Sequence, residues 1–436
     1  MFFNGTKTIN DKGHLEIGGC DTVALAKQYG TPLIVYDVQL IRERARKFKQ
    51  TYKKFNMQGE VAYASKAFSS IAIYQLMQEE GLSLDVVSGG ELYTAIHAGF
   101  PSERIHFHGN NKSIEEIEMA LAYNIGIFVV DNFHELYLLE QICEEQGKMI
   151  NILLRVTPGI EAHTHEYILT GQEDSKFGFD LQTGQAEQAL EKALAFEKFN
   201  VLGVHCHIGS QIFETTGFTL AIEKIYEHIK LWKANYHYEP KIVNVGGGFG
   251  IRYTEADKPL EPEHYLSEIF HTVKKESEKY QLTVPEVWIE PGRSLVGDAG
   301  TTLYKAGSRK IVPNIREYVA VDGSMSDNIR PALYDAKYDA ILANKALHEK
   351  EELVSIAGKA CESGDMLIWD IALPRVESDD ILAVFSTGAY GYSMASNYNR
   401  LRRPAVIFVE NGNVQIVVKR ETYDDLIKLD VPLRTI

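Results

Sequence analysis

The chain has 436 residues, of which 45% are hydrophobic and 24% are charged, so it has the composition of a globular protein and the length of more than one domain. Its formal net charge of −15 argues against nucleic acid and anionic membrane surfaces as partners. No C-x-x-C pair, N-terminal signal segment or membrane-length apolar run is evident. We therefore expect a cytoplasmic protein without a metal site.

From about residue 61 to residue 291, short apolar runs alternate with helix-length segments. Most runs are rich in β-branched residues without strict alternation, which is typical of parallel strands buried on both faces. Eight such runs predict an α/β fold with a (β/α)8 TIM-type barrel, and a doubly wound open sheet is the alternative. The runs are VAYAS (61–65), LDVV (84–87), IHFHG (105–109), IFVV (127–130), NILLRV (151–156), VLGVHCH (201–207), KIVNVGG (241–247) and VWIEP (287–291).

After about residue 292 the pattern changes to strand candidates separated by turn signals, with few helices. The segment LIVYD (33–37) precedes the barrel strands, and we assign it to this second region. The sequence thus predicts a barrel domain over 38–291. It also predicts a second, mostly β domain, Greek-key or β-barrel-like, formed by 1–37 and 292–436.

Lys66 directly follows the first strand candidate. A lysine at a strand end is desolvated, which lowers its pKa and favours the neutral amine that attacks an aldehyde. Taken alone, a lysine that extends its side chain to the solvent is the more common explanation.

The segment NVGGGFG (244–250) follows the seventh strand candidate. Glycines let backbone N–H groups approach an anion, and barrels often bind phosphate after strands seven and eight. The spacing and the late position exclude a Rossmann motif, and a tight turn is the alternative.

The segment WIEPGRS (288–294) follows the eighth strand candidate. A carboxylate at the position of Glu290 can keep a pyridinium nitrogen protonated, which makes the ring a strong electron sink. Arg293 can clamp a carboxylate or a phosphate, and a surface salt bridge is the alternative.

The segment HCHIGSQ (205–211) ends the sixth strand candidate. Its two histidines suggest a metal, but the further ligand that a metal needs is not evident nearby. We therefore expect a histidine that stacks on a flat cofactor, with Ser210 offering its hydroxyl to a phosphate. A buried structural histidine is the alternative.

Cys361 lies in CESGD (361–365), in the β-rich region. It has no motif partner, so a small buried hydrophobic residue is the ordinary explanation. It can act as an acid only if its pKa and accessibility suit that role.

Taken together, ten segments in order resemble the diaminopimelate decarboxylase family, within the alanine-racemase-like (fold type III) decarboxylases that use pyridoxal 5'-phosphate. Each segment is weak alone, but ten in order over nearly the whole chain are highly specific. The segments are YASKA, DVVSGGEL, HGNNKS, SKFGF, GVHCHIGSQ, NVGGGFG, EPGR, RPALY, CESGD and GAYGY.

The resemblance implies decarboxylation of meso-2,6-diaminopimelate to L-lysine and CO2, in a homodimer with shared active sites. Lys66 is then the Schiff-base lysine, and Cys361 is the proton donor that reaches in from the partner chain with Glu362. The implied cofactor-binding set is Lys66, His207, Ser210, Gly246, Gly247, Gly248, Glu290, Gly292, Arg293 and Tyr390. The implied substrate-binding set is Arg293, Arg330, Tyr334, Glu362 and Tyr390.

Three rival functions remain open at this point. A decarboxylase acting on ornithine, arginine or carboxynorspermidine is disfavoured by Arg330 and Tyr334, which resemble the set that grips a distal carboxylate. A racemase is disfavoured by Glu290, because a strong electron sink invites side reactions. A non-catalytic protein that binds pyridoxal phosphate is disfavoured by Arg330, Cys361 and Glu362.

Overall fold

The computed structural model describes residues 3–160 and 175–434. The described chain divides into two compact units. The first contains Met1–Arg42, Arg252–Asp257 and Val296–Ile436, and the second contains Glu43–Ile251 and Lys258–Leu295. None of the helices in the described ranges is both long and apolar enough to span a membrane.

The N-terminal segment belongs to the first unit. A small antiparallel sheet leads into a helix whose N-terminus is capped by Asp21, which accepts hydrogen bonds from the N–H groups of Val23 and Ala24. The elements are β1 (Thr8–Ile9), β2 (Leu15–Ile17), β3 (Cys20–Asp21), α1 (Thr22–Tyr29) and β4 (Leu33–Asp37).

The second unit is a barrel of eight parallel strands, as predicted. The strands pair in the order β5, β6, β7, β8, β9, β11, β12, β13, and a parallel bridge between Val61 and Ile289 joins the two ends. The short β10 pairs with β9 outside this order. The strands are β5 (Ala62–Ala64), β6 (Ser83–Val86), β7 (Ile105–Phe107), β8 (Ile127–Val130), β9 (Ile150–Thr157), β10 (Phe179–Asp180), β11 (Phe199–His205), β12 (Ile242–Asn244) and β13 (Glu286–Trp288).

Helices connect these strands, and four of them begin at side-chain caps. Ser70, Ser88, Ser113 and Asn132 each accept a backbone N–H at a helix N-terminus. The helix Phe133–Gln146 ends at Gly147, which has the left-handed conformation that glycine tolerates. The helices are α2 (Val38–Phe55), α3 (Ile71–Glu79), α4 (Gly89–Ala98), α5 (Ile114–Tyr123), α6 (Phe133–Gln146), α7 (Gln185–Ala195), α8 (Thr216–Tyr236), α9 (Pro262–Tyr280) and α10 (Arg293–Val296).

The rest of the first unit is mostly β structure, as predicted. β4 pairs with β14 and with β20, so LIVYD lies in the large sheet of this unit. The domain bounds predicted from the sequence stay a prediction. The elements are β14 (Gly300–Val312), β15 (Arg316–Val321), α11 (Arg330–Tyr334), β16 (Ala340–Leu342), β17 (Glu352–Ala357), β18 (Met366–Leu373), β19 (Ile381–Phe385), β20 (Ala405–Glu410), β21 (Asn413–Val418) and α12 (Tyr423–Ile427).

Candidate active site

Most of the predicted barrel residues follow the carboxyl ends of the strands. Lys66 follows β5, His207 and Ser210 follow β11, the glycines follow β12, and Glu290 follows β13. Because parallel strands of a closed barrel end on one face, these residues share the face where barrel enzymes build their active sites.

Lys66 lies in a short 3-10 turn directly after β5. Its Nζ is 3.9 Å from Oδ2 of Asp85, and the Lys66 side chain is 42% exposed whereas that of Asp85 is 1% exposed. Burial therefore desolvates Lys66 less than the strand-end argument expects. Neither carboxylate oxygen of Asp85 has a hydrogen-bond partner within the described residues, so the lysine lies beside a buried carboxylate with unused acceptors.

Glu290 is buried and surrounded by nitrogen atoms. His205 Nε2 forms a 3.0 Å hydrogen bond with Oε2, and Asn244 Nδ2 donates a 2.7 Å hydrogen bond to Oε1. His108 Nε2 also lies 3.0 Å from Oε1. Burial by itself would raise the pKa of Glu290, but His108 and His205 together hold it well below its usual range. The carboxylate is therefore ionised at neutral pH.

His205 is hydrogen-bonded to Glu290, whereas His207 is hydrogen-bonded to Gly247. Burial lowers the pKa of His205 to about 4, so the ring is neutral and its Nε2–H donates to Glu290. In the sequence, the further ligand that a metal needs is not evident near these histidines. The structure brings Glu290 to His205, because Glu290 follows a strand that is distant in sequence but close in space.

His108, His205 and Glu290 form a group whose ligand atoms lie within 4.8 Å of one another. The hydrogen bonds of His205 and Asn244 to Glu290 engage both carboxylate oxygens without a metal. The expectation that the chain has no metal site stays a prediction.

His207 contacts the glycine loop (Gly246–Gly248). Its Nδ1 accepts a 3.2 Å hydrogen bond from the backbone N–H of Gly247. Burial, followed by the charge of Lys66, lowers the pKa of His207 well below its usual value. The ring is therefore neutral, with its proton on Nε2, and lies close enough to Lys66 to respond to its charge.

The glycine loop has no room for side chains. A Cβ atom on Gly246 would lie 2.6 Å from the carbonyl oxygen of Cys206, and one on Gly247 would lie 2.1 Å from that of Glu290. A Cβ on Gly248 would lie 2.4 Å from the carbonyl oxygen of Gly209. Gly246 and Gly248 also have positive φ angles of 70° and 101°. The backbone therefore packs closely against neighbouring carbonyl groups here, which both a tight turn and a phosphate loop allow.

Arg293 and Ser210 lie next to each other. Nε and Nη2 of the buried Arg293 donate to Oγ of Ser210 at 3.3 and 3.1 Å. Gly292 packs against β5, since a Cβ on it would lie 3.0 Å from the Cβ of Ala64. The EPGR segment thus brings a guanidinium to the hydroxyl that was predicted to approach a phosphate.

Arg330 begins α11 in the β-rich unit and is buried. Its Nε donates a 3.0 Å hydrogen bond to the hydroxyl of Tyr338. Its guanidinium carbon lies 5.3 to 5.8 Å from the ring centroids of Tyr253, Tyr334 and Tyr390. The described part of the chain gives Arg330 no carboxylate partner. It is therefore a buried cation, surrounded by tyrosines, that can accept an anion.

Cys361 and Glu362 lie in an exposed turn of the same unit. The backbone N–H of Cys361 donates a 2.6 Å hydrogen bond to Oδ1 of Asn399. Asp365 fixes the turn by accepting the N–H groups of Met325 and Ala360 at 2.6 and 2.7 Å. The exposure of Cys361 excludes the buried hydrophobic role, and it leaves the thiol accessible for chemistry.

Four residues of the barrel face were not selected from the sequence. Asp85, His108, Arg155 and Asn244 are buried polar residues in or directly after strands β6, β7, β9 and β12. Each interrupts an apolar run near its carboxyl end. A polar residue at this point of a barrel strand was the available signal, and it was present for all four.

Comparisons with known proteins agree with this site. A family model described as "Pyridoxal-dependent decarboxylase, pyridoxal binding domain" matches residues 38–297. The diaminopimelate decarboxylase of Bacillus methanolicus is 69% identical over 97% of this chain and 98% of its own length. That of Bacillus subtilis is 64% identical over 100% of this chain and 99% of its own.

Solved structures show the same relationship. The crystal structure of diaminopimelate decarboxylase from M. jannaschii in complex with L-lysine is 38% identical to this chain. The comparison covers 99% of this chain and 98% of that one, with a TM-score of 0.93. The chain therefore belongs to the pyridoxal-dependent decarboxylase family and, within it, to the diaminopimelate decarboxylases.

Proposed function

We propose that this protein decarboxylates meso-2,6-diaminopimelate to L-lysine and CO2, the final step of lysine biosynthesis, with pyridoxal 5'-phosphate as cofactor. The observation that carries this proposal is the common barrel face of Lys66, the glycine loop and Glu290. It occurs in a chain that is 69% identical to a diaminopimelate decarboxylase. We also propose a cytoplasmic location.

The barrel face fits pyridoxal phosphate. The glycine loop offers backbone without side chains, and Arg293 and Ser210 add a cation and a hydroxyl for a phosphate. Lys66 supplies an amine for the aldehyde. Glu290, ionised and buried, supplies the charge that suits a protonated ring nitrogen. The flat, neutral ring of His207 can stack on the cofactor without repelling a cation.

Pyridoxal phosphate, when bound, supplies an electron sink for the electron pair that departing CO2 leaves behind. The residues of the chain provide position and charge. Lys66 would hold the cofactor through its amine. Glu290, whose own pKa is low, would keep a proton on the ring nitrogen. Cys361 would donate a proton to the substrate carbon, for which its exposed thiol is suitable.

Arg330 gives the proposal its substrate specificity. Arg330 has no carboxylate partner in the described part of the chain, and a buried guanidinium in that state favours an anionic ligand, because a buried charge is costly unless it is paired. We assign it, with Tyr334, Tyr390 and Arg293, to the distal carboxylate of the substrate. We assign Glu362 to the distal ammonium. Ornithine lacks the distal carboxylate and leaves Arg330 unpaired.

We further propose a homodimer in which Cys361 and Glu362 complete the site of the partner chain. Subunits of Lys66→Ala and Cys361→Ala, unfolded and refolded together, would then form mixed dimers with one intact site. An equal mixture should recover about a quarter of the wild-type activity if dimers form at random. Recovery of no activity from correctly refolded dimers would contradict shared sites.

The direct test of the reaction is product analysis with the protein loaded with pyridoxal phosphate. We expect equimolar L-lysine and CO2 from meso-diaminopimelate and little turnover of ornithine. Equal turnover of both substrates would contradict the specificity. Racemised diaminopimelate without CO2 release would contradict decarboxylation itself.

A further inference from the structure

Asn244 connects two parts of the barrel face through one side chain. It is the last residue of β12 and is buried. Its Oδ1 accepts a 2.9 Å hydrogen bond from the N–H of Gly246, and its Nδ2 donates a 2.7 Å hydrogen bond to Oε1 of Glu290. Both polar atoms of the amide are therefore used, one on the glycine loop and one on the carboxylate.

The backbone reinforces the same connection. The N–H of Glu290 donates a 2.8 Å hydrogen bond to the carbonyl oxygen of Gly246, and the N–H of Cys206 donates one of 2.8 Å to the carbonyl oxygen of Asn244. The first bond connects Glu290 to the glycine loop and the second holds the backbone of Asn244, while the Asn244 side chain contacts the Glu290 carboxylate.

This geometry matters because the two groups would hold two different parts of one ligand. The inference rests on the proposed function, in which the glycine loop contacts the phosphate and Glu290 contacts the ring nitrogen. The aromatic ring fixes its nitrogen relative to the carbon that bears the phosphate arm, so the protein must place the two partners to match.

We propose that Asn244 is a positioning residue, which fixes the Glu290 carboxylate relative to the glycine loop so that both ends of pyridoxal phosphate are held together. Asparagine suits this task because it offers an acceptor and a donor on one short side chain. Aspartate would keep the acceptor for Gly246, but it would place a second carboxylate beside Glu290.

The charged and titratable groups that face Glu290 define the background for a pH test. They lie in or directly after four other strands. They are His205, followed by Cys206 and His207, then His108, then Asp85, which lies 3.8 Å from His108, and Arg155, whose charge reaches Glu290. These groups are shared by all variants, so a pH dependence that appears only after substitution of Asn244 arises from that position.

Two variants separate the two hydrogen bonds. Asn244→Leu removes both, and we expect the affinity for pyridoxal phosphate to fall about 10-fold to 100-fold, the loss typical of a hydrogen bond to a buried charge. Asn244→Asp removes only the bond to Glu290, and we expect an intermediate loss. Its affinity should improve toward acidic pH, because one of two adjacent carboxyl groups then takes up a proton that they can share.

The measurements are titration of the apoprotein with pyridoxal phosphate, the visible absorbance of the bound cofactor between acidic and neutral pH, and thermal unfolding. The matched control is Asn200→Asp, at the opposite end of the barrel, where the exposed side chain of Asn200 donates a hydrogen bond to Oδ1 of Asn151. We expect the control to bind like the wild type at every pH.

Wild-type affinity and an unchanged pH profile in Asn244→Asp would overturn the positioning role, even if Asn244→Leu failed to fold. A loss of affinity that paralleled a loss of thermal stability, without recovery at acidic pH, would also overturn it. Wild-type protein that bound no pyridoxal phosphate would overturn the proposed function itself and this role with it.

Discussion

Glu290 in the barrel and Arg330 in the β-rich unit are both buried charges, but they differ in the partners that the chain gives them. In the barrel, Glu290 contacts His108 and His205, and these contacts overcome the effect of burial and hold its pKa well below the usual range. In the β-rich unit, burial raises the pKa of Asp327 to about 7, and Arg330 has no carboxylate partner within the described residues. The chain itself balances the charge on Glu290, whereas Arg330 depends on an anion from elsewhere.

This difference separates a buried charge that the folded chain stabilises, Glu290, from one that a bound ligand would stabilise, Arg330. A buried charge without a partner costs free energy, and only a function explains why it is kept. On the barrel face, the chain supplies the partners of Glu290 itself. Arg330, which is assigned to the substrate, would be paired only when the substrate carboxylate binds.

The largest expected effect concerns Lys66, at the end of the first barrel strand. Lys66→Ala should reduce lysine formation from meso-diaminopimelate by about ten-thousandfold or more, because loss of a covalently acting residue removes most of the catalysis. Lysine release is the measurement. The control is Lys47→Ala, an exposed lysine paired with Glu261. Full turnover by Lys66→Ala would refute the whole scheme.

The second-largest effect concerns Arg330, the buried cation that has no carboxylate partner within the described residues. Arg330→Met should raise KM for meso-diaminopimelate about a hundredfold, the cost of removing one member of a buried charge pair. The visible absorbance of bound pyridoxal phosphate should not change. Thermal stability should stay equal or rise, because an apolar side chain replaces a buried unpaired charge. An unchanged KM, or a large loss of stability, would show that Arg330 is structural.

The third effect concerns Asp327, the buried carboxyl group whose pKa is raised. Asp327 accepts hydrogen bonds from Tyr304 and from the N–H of Ser324. Its folded pKa of about 7 lies above the unfolded value, so its favourable contribution is present at acidic pH and is lost as the pH rises toward 7. The stability of Asp327→Asn relative to the wild type should therefore improve by about 2 kcal/mol between pH 5 and pH 6.5.

The measurement for Asp327→Asn is denaturant unfolding of both proteins at each pH. The control is Asp379→Asn, at an exposed position. A constant difference between Asp327→Asn and the wild type over this range would show that Asp327 titrates at an ordinary pKa.

The smallest effect concerns an ion pair at the surface. Arg316 and Asp370 lie 2.9 Å apart and both are substantially exposed. Arg316→Ala should change the free energy of unfolding by less than about 1 kcal/mol, because water screens such a pair. A loss several times larger in denaturant unfolding would mean that the comparison between buried and exposed charges is wrong.

Much of the barrel follows from local patterns. Apolar runs with helix-length segments between them predicted the barrel, and the change of pattern after about residue 292 predicted a second, mostly β domain. The position of Lys66 and Glu290 at strand ends also followed from the sequence. The partners of Glu290 did not, because His205 lies 85 residues away along the chain.

The sequence by itself determined the period of the apolar residues, the placement of turns and caps, and the order of the motifs, since each depends on residues close along the chain. Only the tertiary structure decided that His108, His205, Asn244 and Glu290 meet, and that Arg330 is buried among tyrosines. The physical reason is that closure of the barrel and folding of the β-rich unit fix distances between segments that no local pattern records.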